Sequence, residues 1–220
     1  MTGGSCISGE PVALFGGTFD PIHYGHLRCA EEVRQKLGLS KLYLLPSGTP
    51  PHRDTPAATV EQRMEMLQLA RLEFPQLFIY DHETRRSGLS YMVDTLREMR
   101  SGLESRPLFL LVGQDAANQL HTWFQWELLF ELSHIVILTR PGAPALYPPE
   151  LAEQIQLHSE SDVQELFKSE AGCVLQLQVE PVDVSATVIK RILRSGGSPE
   201  SMLPAAVLEY INKNRLYLDA

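Results

Sequence analysis

The chain has 220 residues, 44% of them hydrophobic and 21% charged, with a formal net charge of −8. This mix is typical of a globular protein with a sizeable core, and the acidic balance argues against a nucleic-acid partner, which usually meets a basic face. The longest apolar runs, such as Leu108 to Val112, are far shorter than the roughly 20 residues needed to cross a bilayer, so no membrane partner is expected.

Residues 1–10 are predicted to form a flexible tail, because they are rich in Gly and Ser. They lack the basic start and the apolar stretch of a secretory signal, so we expect a cytoplasmic location. The three cysteines, Cys6, Cys29 and Cys173, are odd in number and widely spread. Neither disulfides nor structural zinc is therefore expected. Residues 11–220 are predicted to form one domain.

From Val12 onward, short apolar runs alternate with amphipathic stretches. The predicted strands are Val12–Phe15, Lys41–Pro46, Leu77–Asp81, Leu108–Val112, Ile135–Leu138 and Val174–Val179. The predicted helices are Gly25–Leu37, Val60–Glu73, Ser90–Arg100, Trp123–Leu132, Thr187–Arg194 and Ala205–Lys213, with one or two more short ones in the polar region 142–172. This alternation predicts an α/β fold, a doubly wound parallel sheet covered by helices on both faces, in a single domain.

Ligands of such sheets bind beyond the carboxyl ends of the strands. The loops that start at Gly16, Ser47, Gly113 and Thr139 follow predicted strands. We therefore expect these four loops to converge on one site.

The segment GGTFDPIHYGH, from Gly16 to His26, joins the first strand to the first helix. Its two leading glycines allow the backbone to come close to a ligand, with N–H groups facing phosphate oxygens. His23 and His26 are three residues apart at the predicted helix start, which places both rings on one side, next to the positive end of the helix dipole. This arrangement suits a polyphosphate. A bare His-x-x-His would more often be a pair of surface residues, so the interpretation depends on the surrounding motif.

The whole segment resembles the signature of the HxGH nucleotidylyltransferase superfamily, in the GGTFDPxHxGH form of the nicotinate mononucleotide adenylyltransferases. Further matches follow in the order and near the spacing of that family. They are Pro50 to Arg53, Ser90-Tyr91, Gly113 to Asp115, Thr122-Trp123, Arg140 to Gly142, Ser185 to Lys190, Leu203-Pro204 and Tyr210-Ile211. One departure is Lys190, which stands where the family motif usually has Arg.

The resemblance implies a Rossmann-like nucleotidylyltransferase fold and an enzyme that transfers AMP from ATP to nicotinate mononucleotide in NAD biosynthesis. It implies His23 and His26 as catalytic residues. The implied ATP-binding residues are Gly16, Gly17, Thr18, Phe19, His23, His26, Gly113, Ser185, Thr187 and Lys190. The implied nicotinate mononucleotide-binding residues are His52, Arg53, Ser90, Tyr91, Asp115, Trp123 and Arg140. No protein metal site is implied, and Mg²⁺ is expected to accompany ATP by bridging its phosphates.

Several of these residues also have a structural interpretation. Ser185 before a helical pattern is a typical helix N-cap, a role that is compatible with an anion site. Trp123 lies beside Phe124 and Trp126, so it either fills the core or stacks on the nicotinate ring. Asp115 either caps a helix or holds a ribose hydroxyl or Mg²⁺. His52 with Arg53, and Arg140, lie in predicted turns that need not contact a ligand.

The chain contains neither the G-x-x-x-x-G-K-[ST] motif of P-loop enzymes nor the G-x-G-x-x-G motif of redox dinucleotide binding. No nucleophile motif of a covalent enzyme occurs either. The phosphate of the substrate is then the nucleophile, and catalysis requires alignment and neutralisation of charge on the departing pyrophosphate. The alternatives are another superfamily member, such as a pantetheine-phosphate adenylyltransferase or a cytidylyltransferase, and a nucleotide-binding module without turnover.

Overall fold

The computed structural model describes residues 9–49 and 55–218. Their strands are β1 (Val12–Gly17), β2 (Leu42–Pro46), β3 (Leu77–Ile79), β4 (Leu108–Gly113), β5 (His134–Thr139), β6 (Ser159–Glu160) and β7 (Val174–Gln178). The α-helices are α1 (Tyr24–Lys36), α2 (Val60–Ala70), α3 (His82–Arg85), α4 (Met92–Leu103), α5 (Gln114–Ala117), α6 (Leu128–Leu132), α7 (Pro149–Leu157), α8 (Ala186–Arg194) and α9 (Ala205–Lys213). Short 3₁₀ helices span Leu120–Thr122 and Val163–Phe167.

The chain divides into two compact units. Of the described residues, the first unit contains those up to Gly16 and Ser90–Val179, and the second contains those between Gly17 and Leu89 and those from Glu180 onward.

The first unit is built on parallel strands in the order β1-β4-β5-β7-β6. In this register Val12 lies opposite Leu108, and Ile135 lies opposite Val174. The strand β4 is buried from Leu108 through Val112. Such an unbroken apolar run is typical of a parallel strand that is covered on both faces, so the prediction of a fully buried strand here is confirmed.

The second unit pairs β2 with β3 in parallel, with Leu42 opposite Leu77. Its helix α2 begins at a capping box, because the Thr59 hydroxyl accepts from the Gln62 N–H and the Gln62 side chain accepts from the Thr59 N–H. The buried residues of α2 recur at helical spacing and include Met66, Leu67 and Ala70. This apolar stripe explains why the sequence periodicity predicted the helix, although α2 ends at Ala70 and not at the predicted Glu73.

The predicted helix Trp123–Leu132 is wrong over its first half, since α6 begins only at Leu128. Gln125 has a backbone φ of 51°, a left-handed conformation that is incompatible with an α-helix. Its side chain accepts a hydrogen bond from Arg97 at 2.8 Å. Trp123, Phe124 and Trp126 lie in the bend and turn that precede α6.

Other boundaries differ less. The helix predicted from Ser90 begins at Met92, with Tyr91 as its N-cap. The region 142–172 holds α7 and the 3₁₀ helix Val163–Phe167, as expected, and also β6, which two exposed residues form beside β7. The short helices α3 and α5 were not predicted, because four residues are too few to show a periodicity.

Candidate active site

The two histidines of the GGTFDPIHYGH segment stack on each other in the second unit. His23 is the N-cap of α1, and the His26 N–H donates to the His23 carbonyl at 2.9 Å. The ring centroids are 3.8 Å apart with an interplanar angle of 26°, and the Phe19 ring meets His26 edge-on. The prediction that both imidazoles lie on one side of the helix start is therefore confirmed.

His23 is a neutral imidazole at neutral pH. Its side chain is 5% exposed, and burial lowers its pKa to about 4, since the charged form loses solvation. Its Nδ1 atom is buried without a hydrogen-bond partner among the described residues. A buried polar atom of this kind is costly unless a ligand or water satisfies it.

Two glycines of the same segment are needed for close packing. A Cβ atom on Gly17 would lie 2.8 Å from the Phe19 ring. A Cβ atom on Gly25 would lie 2.9 Å from the His23 ring and 3.1 Å from the Val184 carbonyl oxygen. Glycine at position 25 therefore allows the start of α1 to approach the residue that precedes the N-cap of α8.

The Asp20 carboxylate lies at the centre of a buried polar cluster and is 7% exposed. One oxygen accepts from Lys190 Nζ at 2.5 Å and the Ala57 N–H at 2.9 Å. The other accepts from the Tyr217 hydroxyl at 2.7 Å and the Ala58 N–H at 3.1 Å. Burial alone would raise the pKa of Asp20, but the hydrogen bonds from Lys190, Tyr217 and Ala57 and the charge of Lys190 outweigh it, so the pKa is lowered.

Arg63 joins the loops that follow β1 and β2, and it is only 1% exposed. Its guanidinium donates to the Thr18 carbonyl at 2.9 Å and to the Ser47 carbonyl at 2.8 Å. The Ser47 N–H in turn donates to the Gly17 carbonyl. Sequence analysis missed this residue, although there was a signal: Arg63 occupies a position of the buried stripe of α2, where a charged residue is unusual unless it is paired.

The helix α8 has the N-cap that its sequence predicts, because the Ser185 hydroxyl accepts from the Val188 N–H at 3.3 Å. Further along this helix, the Lys190 side chain is 21% exposed and bound to Asp20. Thr187 and Arg191 are exposed. Lys190 is therefore the basic residue of α8 that the loop after β1 holds in place.

The first unit holds a second group of predicted site residues. Gly113 is the N-cap of α5, and Asp115, in the first turn of α5, accepts from Arg140 at 2.9 Å. Asp115 is therefore not the helix cap that was its alternative role. This ion pair joins the loop after β4 to the loop after β5.

The remaining residues of that group lie at turns. Ser90 is buried, and the ring of Tyr91 lies 4.7 Å from the ring of Phe124. Trp123 is half-buried and follows the 3₁₀ helix Leu120–Thr122. Residues His52 and Arg53 fall outside the described residues. Contacts within the second unit join the loops that follow β1 and β2, and the Asp115–Arg140 pair within the first unit joins the segments that follow β4 and β5. The convergence of all four loops on one site stays a prediction.

No cluster of three or more His, Cys, Asp or Glu side chains that could hold a metal ion occurs in the described parts of the chain. Likewise, none of the helices within residues 9–49 and 55–218 is long and apolar enough to cross a membrane.

Comparison with known proteins agrees with this geometry. The sequence profile of the cytidylyltransferase-like family matches residues 14–192. A protein named "Probable nicotinate-nucleotide adenylyltransferase" from Aeromonas hydrophila is 40% identical over 210 residues, which cover 96% of this chain and 98% of that relative. A protein of the same name from Halorhodospira halophila is 44% identical over 200 residues, with coverages of 91% and 92%. The chain therefore belongs to the cytidylyltransferase-like family and, within it, to the nicotinate-nucleotide adenylyltransferases.

The fold is shared with solved structures. Plasmodium falciparum nicotinic acid mononucleotide adenylyltransferase, complexed with NaAD, superposes with a TM-score of 0.72 at 14% identity, over 95% of this chain and 98% of that one. The predicted doubly wound α/β fold is confirmed by this likeness, and the predicted membership of an ATP-using nucleotidyltransferase family is confirmed by the sequence relatives.

Proposed function

We propose that the chain transfers the adenylyl group of ATP to nicotinate mononucleotide, giving nicotinate adenine dinucleotide and pyrophosphate. An oxygen of the mononucleotide phosphate attacks the α-phosphorus of ATP. That bond forms while the bond from the α-phosphorus to the bridging oxygen breaks, and pyrophosphate leaves with the electron pair. The observation that carries this proposal is the stacked pair His23 and His26 at the start of α1.

The second unit supplies the groups that would bind the triphosphate. His23 is neutral, and its buried Nδ1 atom has no hydrogen-bond partner among the described residues. It would therefore serve as a hydrogen-bonding partner of the phosphates rather than as a cation. The positive ends of α1 and α8 favour an anion. Lys190 would supply the cation, with two ammonium hydrogens left after its bond to Asp20. Gly17 to Phe19, Ser185 and Thr187 of the same unit complete this group, and Gly16 and Gly113 of the first unit stay predicted ATP-binding residues.

We propose that Mg²⁺ enters with ATP and is held mainly by its phosphates. Magnesium usually keeps several waters and takes few protein ligands when it binds nucleotide phosphates. The described residues fit this arrangement, because four donors already occupy the Asp20 carboxylate. The ion would help to neutralise charge on the departing pyrophosphate.

We also keep two expectations from the sequence as proposals. We propose first that residues 11–220 form one domain. Each compact unit is made of two segments that are separate in the sequence. Independent domains, in contrast, usually join at linkers that few contacts cross. The enzyme acts in the cytoplasm. The tail assigned to residues 1–10 stays a prediction.

The decisive experiment is a pyrophosphate-release assay with ATP and three acceptors in parallel: nicotinate mononucleotide, nicotinamide mononucleotide and phosphopantetheine. Turnover with nicotinate mononucleotide supports the proposal. Turnover only with phosphopantetheine would assign another superfamily activity, and ATP binding without turnover on any acceptor would indicate a nucleotide-binding module.

We expect the enzyme to prefer nicotinate over nicotinamide mononucleotide by about tenfold to a hundredfold in kcat/KM. The family resemblance at Ser90-Tyr91 and Trp123 suggests backbone N–H donors that suit a carboxylate, and the N-cap Tyr91 makes no side-chain capping bond that would occupy them. An amide NH₂ without an acceptor costs about 1–3 kcal/mol. Competing both acceptors in one reaction and separating the dinucleotide products measures the ratio, and equal efficiencies would overturn this assignment.

We expect Lys190→Ala to raise the KM for ATP by about tenfold or more, whereas Arg191→Ala leaves it within about twofold, since losing a charged hydrogen bond costs about 1.5–3 kcal/mol. Lys190 is held beside the loop after β1, and Arg191 is exposed. Lys190→Arg keeps the charge and should retain activity, although a guanidinium differs in shape from an ammonium. Initial rates at varied ATP, with unfolding midpoints for each variant, measure the effect. If Arg191→Ala raises the KM for ATP strongly and Lys190→Ala changes it little, then the family motif has been aligned with this sequence one residue out of register.

A further inference from the structure

The segment that follows α9 has an unusual backbone. Arg215 and Tyr217 have φ values of 51° and 63°. The left-handed region is uncommon for residues other than glycine and is unfavourable for a bulky side chain. Tyr217 is nevertheless 7% exposed. Its conformation is therefore maintained by the contacts that its side chain makes inside the second unit.

Those contacts lead to the proposed ATP site by two routes. The Tyr217 hydroxyl donates to Asp20 at 2.7 Å, and Asp20 accepts from Lys190 at 2.5 Å through its other oxygen. The Tyr217 ring also lies beneath the ammonium of Lys190, 5.2 Å from Nζ to the centroid, in cation–π geometry. Lys190 is thus held by a carboxylate that Tyr217 orients and by the face of the Tyr217 ring itself.

We propose that Tyr217 is a positioning residue for the triphosphate of ATP, acting on Lys190 both directly and through Asp20. This inference rests on the proposed function in one respect, namely that the Lys190 ammonium contacts an ATP phosphate. Tyr217 itself need not touch the nucleotide.

A flexible lysine needs such support if it is to act at a fixed point. Its four-carbon side chain has a large rotamer entropy, which binding would otherwise have to remove. The bonds from Tyr217, Ala57 and Ala58 fix the carboxylate of Asp20. Without the phenolic hydroxyl, one oxygen of Asp20 loses its only side-chain donor among the described residues. The carboxylate, which already accepts from Lys190, then becomes a stronger acceptor for that bond and competes more with the phosphate for the ammonium.

The test is calorimetric titration of the full chain with an ATP analogue that cannot be cleaved between its α- and β-phosphates, with Mg²⁺ present. Tyr217→Phe keeps the ring and removes the hydroxyl, and we expect a Kd about three- to tenfold higher. Tyr217→Leu also removes the ring and should raise the Kd further. The matched control is Tyr43→Phe, whose ring in the same unit contacts Phe78 and Tyr80 and whose Kd should stay within about twofold.

A double-mutant cycle tests whether Tyr217 acts through Lys190. Tyr217→Phe should have no further effect on Kd in the Lys190→Ala background, or in Lys190→Met if the alanine variant does not fold. An equal loss in both backgrounds would overturn the inference. So would a Tyr217→Phe variant whose unfolding midpoint falls while its Kd is unchanged, since that is the signature of a purely structural role.

Turnover measurements distinguish a failure of this inference from a failure of the proposed function. In Tyr217→Phe the KM for ATP should rise while the KM for nicotinate mononucleotide stays within about twofold. Because the titration uses no acceptor, a chain that binds the ATP analogue but does not adenylylate nicotinate mononucleotide would refute the proposed function and leave the role of Tyr217 standing. An unchanged Kd in Lys190→Ala would refute both the phosphate role of Lys190 and the inference built on it.

Discussion

Replacing either His23 or His26 with alanine is expected to lower kcat by more than about a hundredfold, the usual cost of losing one donor that stabilises transition-state charge. The two rings stack 3.8 Å apart at the start of α1, where under the proposed function the helix dipole and the imidazoles would act on the same anion. Steady-state rates of pyrophosphate release measure the effect, and circular dichroism verifies that each variant is folded.

The matched control is His82→Ala in the same unit. The His82 ring stacks on Tyr80 with an interplanar angle of 13°, so this variant loses a stacked imidazole that has no place in the proposed site. Its kcat should stay within about twofold. Near-normal turnover in a folded His23→Ala or His26→Ala variant would reject the catalytic role of that residue.

Replacing Asp20 with alanine is expected to lower the free energy of unfolding by about 3–5 kcal/mol, the usual cost of breaking a buried ion pair from one side. Lys190, the Tyr217 hydroxyl and the Ala57 and Ala58 N–H groups all lose their acceptor. Urea denaturation followed by fluorescence measures the change. The folded pKa of Asp20 lies below its ordinary value of 3.8. The stabilisation is therefore present above that value and is lost as the pH falls through the folded pKa.

Asp81→Ala is the appropriate comparison for this prediction. Asp81 pairs with Arg85 at 2.5 Å in the same unit, and the Arg85 side chain is 76% exposed. Solvent screens such a pair, so its removal should change stability by no more than about 1 kcal/mol. If Asp20→Ala costs no more than Asp81→Ala, the buried cluster does not stabilise the fold as its geometry implies.

The sequence was most informative where a motif and its structure are local. The spacing of His23 and His26 predicts their shared face, because residues three apart on a helix are neighbours. Ser185 before a helical pattern predicts its own capping bond, which the structure contains. The apolar run of β4 likewise predicts a strand that is buried on both faces.

Long-range polar contacts could not be predicted in the same way. Asp20 and Tyr217 are 197 residues apart, and Asp20 and Lys190 are 170 apart. No periodicity links such positions, so the motif predicted Lys190 as a site residue but gave no role to Asp20 or Tyr217. Arg63 was missed for a related reason: its position in the buried stripe of α2 indicates a paired charge, but residue types do not reveal that its partners are backbone carbonyls of two loops.

The error at Trp123–Leu132 has a different cause. Its aromatic residues are spaced as on a helix, but the left-handed backbone of Gln125 depends on tertiary contacts such as the bond from Arg97. Local preference was overridden there by packing, which a single sequence does not display.

Asp20 and its side-chain partners are far apart in the sequence, so a ribosome synthesises them at different times. When a ribosome has made the chain through α2, two of the four described donors to the Asp20 carboxylate, the Ala57 and Ala58 N–H groups, have been synthesised. Its ammonium partner is translated 170 residues after it, and its phenol partner 197 residues after it. A nascent chain therefore carries both histidines long before the Asp20–Lys190–Tyr217 cluster is complete, and a chain interrupted before Tyr217 lacks the group that secures this cluster.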